Sequence, residues 1–486
     1  MARNNHQRID RIIVCADETN LVDHAGVLAF MQWCEQRGVL RLMAQRLPLS
    51  GTNGYTAEDM IKTLWAAVLL NNGRTVFSTI DDLRHNAGVA AMLGMQQLPS
   101  SSAVADWLRR LAGVELRHQH GTPRRTGVAG GLDGAQNLFC ELTAECLRAL
   151  RPQLSGTLDF DASVIPEQKR YAQWTYEKQR GSMGYFAFMD GICVMAEVEP
   201  GNHSPNDHIR ARVAACLDVC AKAGVPARAL RSDAAGYVAA LFDECQRRAV
   251  RFYVRAAQDA AVTASVRAIA AREWTHTSVR TAHDGARSAE LAETAHAMNT
   301  GASGFRLVVE RRVEVEEPAA DDGLLLAVPR RITRYWSIAT NDDRMSCAEV
   351  VALYNRRQGA SEQGNDRLKN DVSIGALPCR GAHGLEPNRV YGYLCALLHN
   401  MFEWYKHDCL PHEDQPLRLP TIVRRDMLLA ARVTRHARTL TLHLADYAAD
   451  AARRLQQQLT HIRRALTRIS IPPVAPAYAP LIYRRI

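Results

Sequence analysis

The chain has 486 residues and a net charge of +9, with 60 Lys and Arg against 51 Asp and Glu. A hydrophobic fraction of 47% and a charged fraction of 23% are typical of folded proteins and exclude wholesale disorder. The sequence contains no run of ~18 apolar residues, the length needed to span a membrane, and its polar first residues are unlike a secretory signal. We therefore expect a cytoplasmic protein with no membrane partner, and the basic excess favours a polyanionic partner.

The first 150 residues predict helices. Thr56 and Asp59 form a capping-box pattern ahead of apolar residues at helical spacing, and Asn71–Gly73 ends that helix. Further helices are expected over 77–86, after the serine cap at 99–102, and over 136–150, with a linker at 123–131. We expect residues 1–150 to be a helical region that binds DNA or mediates dimerisation.

After Pro152 the pattern changes to short strands alternating with helices. Asp190-Gly191 is a hairpin signal between two apolar runs. Strands are expected over 157–161, 185–189, 192–198, 229–233 and 252–256, with helices over 206–223 and 238–248. This order is typical of an α/β domain with a mixed sheet.

The stretch from 261 to 334 interrupts this alternation and contains β-rich runs. Strands are expected over 305–315 and 324–332, across an acidic turn at 316–323, and over 335–340. Ser346 then caps a helix that reaches Lys369, and an apolar helix spans 390–404. We expect core segments at 151–260 and 335–410, separated by a β-rich insertion at 261–334.

Three carboxylates occupy distinctive positions. Asp161 and Asp233 end two predicted strands, and Glu362 lies on a polar helix. Such residues can converge at the carboxyl edge of an α/β sheet, and a carboxylate set without Cys or His suits Mg²⁺ or Mn²⁺. Asp159 competes with Asp161, because residues two apart on a strand share a face and either carboxylate can support the other.

The ordered set of motifs resembles the bacterial insertion-sequence transposases of the DDE type. The matching stretches are Leu158–Ser163, Gly184-Tyr185, Pro200–Asn202, Arg231–Asp233, Ala339–Asn341, and Tyr354–Glu362 with Lys369. The resemblance implies an RNase H-like core whose triad Asp161, Asp233 and Glu362 holds two Mg²⁺ or Mn²⁺ ions. The separations of 72 and 129 residues match the branch with a β-rich insertion before the Glu.

The resemblance also implies a helix signature that contacts phosphates near the transposon end. Its residues here are Tyr354, Arg356 or Arg357, and Lys369. Four residues separate Arg357 from Glu362 where the family usually has three, which rotates later side chains by ~100°. Either the two arginines divide the role, or a bulge at Gly359 restores the phase.

Two further observations concern Ser163 and the tryptophans Trp274 and Trp336. Ser163 stands where the family commonly has Thr, and it keeps the hydroxyl group. Trp274 is the better candidate for stacking on a displaced base, whereas Trp336 within an apolar strand is predicted to be a core residue.

The basic charge is concentrated at the C-terminal end. Residues 411–486 contain thirteen arginines, no lysine and five acids, a local charge of +8. We expect this region to contact the DNA backbone, the alternative being a solvated helix face. The arginines expected to bind DNA are Arg424, Arg425, Arg463 and Arg464.

The function expected from these features is DNA transposition. The enzyme would bind the terminal inverted repeats of its own insertion sequence, cleave the ends and join the 3′ ends to target DNA, acting as a homodimer in the bacterial nucleoid. The alternatives are an RNase H-like nuclease without strand transfer and an inactive DNA-binding remnant. The sequence has no phosphate loop, so ATP is not implied.

Overall fold

The computed structural model describes residues 20–47, 54–71, 73–113, 131–280, 286–298, 303–316, 330–437 and 439–469. The predicted linker at 123–131 and acidic turn at 316–323 therefore fall almost entirely outside the described residues. The described part is a mixed α/β protein, as the sequence predicts. No helix within it is long and apolar enough to cross a membrane.

The N-terminal part is helical. Its elements are β1 (Leu21–Val22), α1 (Val27–Arg37), α2 (Val39–Arg46), α3 (Ala57–Leu70), α4 (Val76–Arg84), α5 (Ala87–Met92), α6 (Ser101–Leu111) and α7 (Gly131–Leu150). The predicted capping box is confirmed, because the Thr56 side chain accepts from Asp59 N and the Asp59 carboxylate accepts from Thr56 N. Ser100 caps α6 as predicted.

A ten-stranded mixed sheet follows. Its strands and the helices between them are β2 (Thr157–Pro166), β3 (Gln173–Trp174), β4 (Arg180–Met189), β5 (Ile192–Pro200), α8 (Ile209–Lys222), β6 (Ala229–Ser232), α9 (Ala239–Arg247), β7 (Arg251–Arg255), α10 (Ala260–Arg267), β8 (Thr275–Arg280), β9 (Ala286–His296), β10 (Phe305–Glu316) and β11 (Arg330–Thr340). Asp190 and Gly191 both have positive φ, the geometry of the predicted hairpin turn between β4 and β5.

The order across this sheet is β3-β4-β2-β6-β7-β11-β10-β9-β8, and β5 also pairs with β4. β2 is antiparallel to β4 and parallel to β6, and β6 is parallel to β7. The strands of the predicted insertion continue the same sheet, since β11 pairs with β7. β11 is one strand from Arg330 to Thr340, so the two strands predicted over 324–332 and 335–340 correspond, within the described residues, to one.

Two long helices pack on the sheet. They are α11 (Cys347–Asp366), capped by Ser346 as predicted, and α12 (Leu385–Cys409), which is almost entirely buried. Asn400 fixes α12 to β5, because its amide accepts from Cys193 N at 2.8 Å and donates to Cys193 O at 2.7 Å. Trp65 Nε1 of α3 donates to Leu394 O of α12 at 3.0 Å, which joins the N-terminal helices to the core.

The C-terminal part contains α13 (Leu419–Ile422), β12 (Ala431–His436), β13 (Thr439–Leu444) and α14 (Ala449–Ala465). β12 pairs with both β1 and β13, so the chain's first described strand and its basic region share a small sheet.

Candidate active site

Asp161 lies on β2 in the middle of the sheet, with its side chain mostly buried. Asp159, two residues earlier, forms a buried ion pair with Arg231, whose Nε and Nη2 each donate to its carboxylate at 2.7 Å. Arg231 also donates to Leu353 O on α11 at 2.8 Å. Asp159 is therefore a structural carboxylate that helps to seat α11, which favours Asp161 as the functional one.

Asp233 immediately follows β6. Phe160 on β2 pairs in register with Ser232 on β6, so Asp161 and Asp233 are the next residues along two parallel strands, at the edge of the sheet where β6 ends. The prediction that Asp161 ends its own strand is wrong, because β2 continues to Pro166. The Asp233 carboxylate accepts a hydrogen bond from Ala235 N at 3.0 Å, which caps a short turn and fixes the side chain. The convergence expected for these two carboxylates is consistent with this register.

Helix α11 supplies two contacts to Asp161. Arg357 Nη2 donates to Asp161 Oδ1 at 2.8 Å, and Asn365 Nδ2 donates to Asp161 Oδ2 at 2.6 Å. Both donors are about nine-tenths buried, and Asn365 is 8% exposed. Asn365 Oδ1 is buried and has no hydrogen-bond partner within the described residues.

The electrostatics of this network are dominated by burial and by the carboxylates. Burial by itself lowers the pKa of Arg357, but the charges of Asp161, Asp233 and Asp159 outweigh it and leave that pKa raised. Burial raises the pKa of Tyr354, and the two carboxylates Asp161 and Asp233 add to the effect. Arg357 thus stays a cation beside these carboxylates.

Lys369 lies beyond the end of α11, in a single π-helical turn over Arg367–Asp371. Its Nζ donates to Val164 O at 2.8 Å and to the Ser163 hydroxyl. Burial lowers the pKa of Lys369. The Ser163 hydroxyl that replaces the family's Thr is therefore used as a hydrogen-bond acceptor for this lysine.

Glu362 has a different environment from the two aspartates. It is exposed, and it lies five positions after Arg357, a rotation of about 140° around the helix axis. The backbone is α-helical through Asp366, which does not support the alternative of a bulge at Gly359, and the wider turn comes later at Arg367. In the described part of the chain, no group of three or more His, Cys, Asp or Glu is arranged to hold a metal ion.

The two arginines of the helix signature have separate environments. Arg357 is buried against Asp161, whereas Arg356 is exposed. If the two arginines divide the signature role, Arg357 acts next to the carboxylates and Arg356 acts at the solvent-exposed surface of the helix. Tyr354 is partly buried on the same helix.

The two tryptophans have similar surroundings, and the prediction for Trp336 is wrong. Trp336 is not a core residue, because it is only partly buried and the Arg312 guanidinium lies 4.1 Å from its ring centroid. Trp274 packs partly against the hydrophobic core, next to Tyr335, with the Arg311 guanidinium 4.3 Å from its ring centroid. The apolar residues around Trp336 in the sequence did not show on which face of the strand its side chain lies.

The predicted DNA-binding arginines of the C-terminal region also divide. Arg424, Arg463 and Arg464 are exposed. Arg425 instead makes paired hydrogen bonds to the carboxylates of Asp414 and Asp426, at 2.6 to 3.1 Å, which raise its pKa. Its charge is neutralised within the protein, so its prediction as a phosphate ligand is not supported by its surroundings.

Sequence reasoning missed Asn365 as a site residue. The available signal was its spacing, since Asn365 lies four residues before Lys369, and residues four apart are neighbours on a helix surface. It also missed that Arg231, inside the matched Arg231–Asp233 motif, is the partner of Asp159.

Comparisons with known proteins identify the family. A family model described as "Transposase DDE domain group 1" matches residues 5–467, nearly the whole chain. Among solved structures, the chain is similar to piggyBac transposase in a cryo-EM synaptic complex with hairpin DNA, with 10% identity, 93% of this chain and 87% of that chain covered, and a TM-score of 0.41. Comparison with curated protein sequences gave no significant match. The chain therefore belongs to the DDE transposases of group 1.

Proposed function

We propose that this transposase binds the terminal inverted repeats of its own insertion sequence, cleaves the ends and joins the 3′ ends to target DNA. The observation that carries the proposal is the register of β2 and β6, which brings Asp161 and Asp233 to one sheet edge beneath α11. Tyr354, Arg357 and Lys369 of the helix signature surround that edge, as a phosphate-transfer site requires.

An RNase H-like core is supported by the strand order. Strands β2, β4 and β5 form an antiparallel meander, and β6 and β7 add to β2 in parallel. In this proposal 151–260 and 335–410 form the catalytic core and 261–334 is an insertion that lengthens its sheet. Residues 1–150 and 411–486 would supply DNA binding and dimerisation, because two transposon ends must be joined in one complex.

The oxygen-rich donor set fits a divalent cation. Asp161 and Asp233 are carboxylates, and the buried Asn365 Oδ1 next to Asp161 is an acceptor without a hydrogen-bond partner within the described residues. Such ligands suit Mg²⁺ or Mn²⁺, and two such ions activate an attacking oxygen and stabilise a leaving one. Glu362 would be the third carboxylate, and it is exposed on α11.

The remaining residues would position the DNA. Arg357 balances the acidic edge, and Lys369 is held by β2 within reach of a phosphate approaching that edge. Tyr354, Arg356, Trp274 and the exposed arginines Arg424, Arg463 and Arg464 would contact DNA further out.

The exposed position of Glu362 favours one rival, a DNA-binding remnant without catalysis. A second rival is a nuclease that cuts but does not join ends. A plasmid excision and integration assay with purified protein and Mg²⁺ separates the three, because only a transposase both releases and reinserts the element. We expect Asp161→Asn and Asp233→Asn each to lower cleavage by about 10³-fold or more.

The matched control is Asp243→Asn, which changes an exposed acid on α9 and should leave cleavage unchanged. Full cleavage by either strand-end variant would contradict the proposed site. Cleavage without joining by the wild type would support the nuclease, and neither reaction would support the remnant.

A further inference from the structure

The side of α11 that faces β2 is defined by contacts. Arg357 and Asn365 both reach Asp161, and Lys369, four residues beyond Asn365, reaches Ser163 on the same strand. Gly364 lies against the Phe188 ring of β4 so closely that a Cβ atom would be 2.7 Å from it. This face therefore has little freedom to slide, and its residues are held against the carboxylate edge.

Asn365 has one amide group in use and one buried without a partner, and within the described residues the Nε of Arg357 on the same face is also without one. Its Nδ2 donates to Asp161 Oδ2, while its Oδ1 is buried and has no hydrogen-bond partner within the part of the chain that is described. A buried carbonyl oxygen without a partner costs free energy, and a group that supplies a positive charge or a donor there would recover it.

We propose that Asn365 is an additional ligand of the divalent cation held by Asp161, with Oδ1 as the coordinating atom. The inference rests on the proposed function, because it needs a cation at Asp161. Amide oxygens are common ligands of hard cations, and a neutral ligand adds no further negative charge beside Asp161 and Asp159. Asn365 thus supplies from α11 an oxygen ligand that already lies against Asp161, whereas Glu362 is exposed.

Two variants test the coordinating atom. Asn365→Ala removes the amide, and Asn365→Asp keeps an oxygen in place of Oδ1 but replaces the donating N–H₂ with an acceptor. If Oδ1 is a ligand, Asn365→Ala weakens Mn²⁺ binding by about tenfold or more, and Asn365→Asp binds Mn²⁺ at least as tightly as the wild type. Asn365→Asp should also melt lower than the wild type without Mn²⁺ and gain more from its addition, because the ion neutralises the adjacent carboxylates.

The measurements are Mn²⁺ titration by electron paramagnetic resonance and thermal unfolding of the full chain with and without Mn²⁺, so neither depends on cleavage. Asn370→Asp is the matched control, because Asn370 also donates to an aspartate, Asp366, but is exposed. It should leave Mn²⁺ affinity unchanged.

Equal weakening in Asn365→Ala and Asn365→Asp would overturn the inference and leave Asn365 as a residue that positions Asp161 through its N–H group. No weakening in Asn365→Ala would also overturn it. If Asn365→Asp does not fold, Asn365→Ser decides, since tighter Mn²⁺ binding than Asn365→Ala supports the ligand role and equal binding rejects it. Mn²⁺ binding that is unaffected by Asp161→Asn would instead reject the proposed metal site itself.

Discussion

The sheet edge and the C-terminal region both contain clustered arginines, but their surroundings are opposite. Arg231 and Arg357 are buried and bonded to carboxylates, whereas Arg424, Arg463 and Arg464 are exposed. A guanidinium that is buried must be paired, because an unpaired buried charge is very costly. Arginine density along the sequence therefore does not identify phosphate ligands, and burial separates the two classes.

The largest loss of stability is expected when one partner of a buried ion pair is removed. Arg231→Met leaves the Asp159 carboxylate buried without its partner, which we expect to cost about 3–5 kcal/mol of unfolding free energy. Replacing both partners, as in Asp159→Leu with Arg231→Met, should cost much less. Urea denaturation measures both, and Arg267→Met, at an exposed arginine that ends α10, is the control expected to change stability by less than about 0.5 kcal/mol.

A double variant as unstable as the single one would indicate that the site cannot accept apolar side chains, which would contradict the ion pair as the cause of the loss.

A smaller effect should follow from lifting α11 off the sheet. Gly364→Ala adds a methyl group where the Phe188 ring lies 2.7 Å away, so we expect a loss of about 1–3 kcal/mol together with weaker cleavage. Gly134→Ala is the matched control in helix α7, where nothing lies within 4 Å, and it should stabilise by about 0.8–1 kcal/mol.

Recovery of stability in Gly364→Ala combined with Phe188→Leu would confirm the contact as the cause. An unchanged stability in Gly364→Ala alone would mean that the helix has more room than its position implies.

The role of the exposed C-terminal arginines is tested by measuring DNA binding and its dependence on salt concentration. Arg463→Ala with Arg464→Ala should lower the slope of log affinity against log salt by about 2 if both contact phosphates. Arg425→Ala should leave the slope unchanged and lower stability instead, since Asp414 and Asp426 lose their shared partner. Fluorescence anisotropy at several salt concentrations measures the slope, and a large slope change in Arg425→Ala alone would reverse the assignment.

Local signals in the sequence were sufficient for much of the fold. The capping box at Thr56, the serine caps of α6 and α11, and the positive-φ turn at Asp190-Gly191 depend on interactions between near neighbours, and all were predicted. The prediction of a mixed α/β protein follows from such signals, because the alternation of strands and helices is itself local.

The site was less predictable because it depends on contacts across long separations. Asp161 and Asn365 are 204 residues apart, and Asp159 and Arg231 are 72 apart, so no window of sequence contains either pair. The partners of Arg425 are close in sequence, with Asp414 eleven residues before it and Asp426 next to it, but whether these side chains meet depends on the turn between them. The exposure of Glu362 could not be read from the family spacing, because one extra helical residue moves a side chain to another face.

The smallest effect concerns a buried titratable group that is paired with a backbone carbonyl instead of a carboxylate. His399 of α12 is 3% exposed, its Nε2 lies 2.8 Å from Gly191 O, and burial lowers its pKa from the ordinary 6.5. The unfolded chain therefore binds a proton at higher pH than the folded protein does. The contribution of neutral His399 to the unfolding free energy is therefore complete above pH 6.5. As the pH falls from 6.5 towards the lower pKa of the folded state, this contribution is lost, by at most about 1.4 kcal/mol per pH unit.

His399→Gln keeps a donor for Gly191 O but cannot titrate, so its unfolding free energy should change less than that of the wild type across this window. Urea denaturation at a series of pH values from about 7.5 down to about 5.5 provides the comparison, above the range where most carboxylates titrate. Parallel pH profiles would show that His399 gains a proton in the folded state as easily as in the unfolded chain. Burial without a carboxylate partner would then not be enough to keep a side chain neutral in this protein, and the distinction between paired and exposed charges would lose its physical basis.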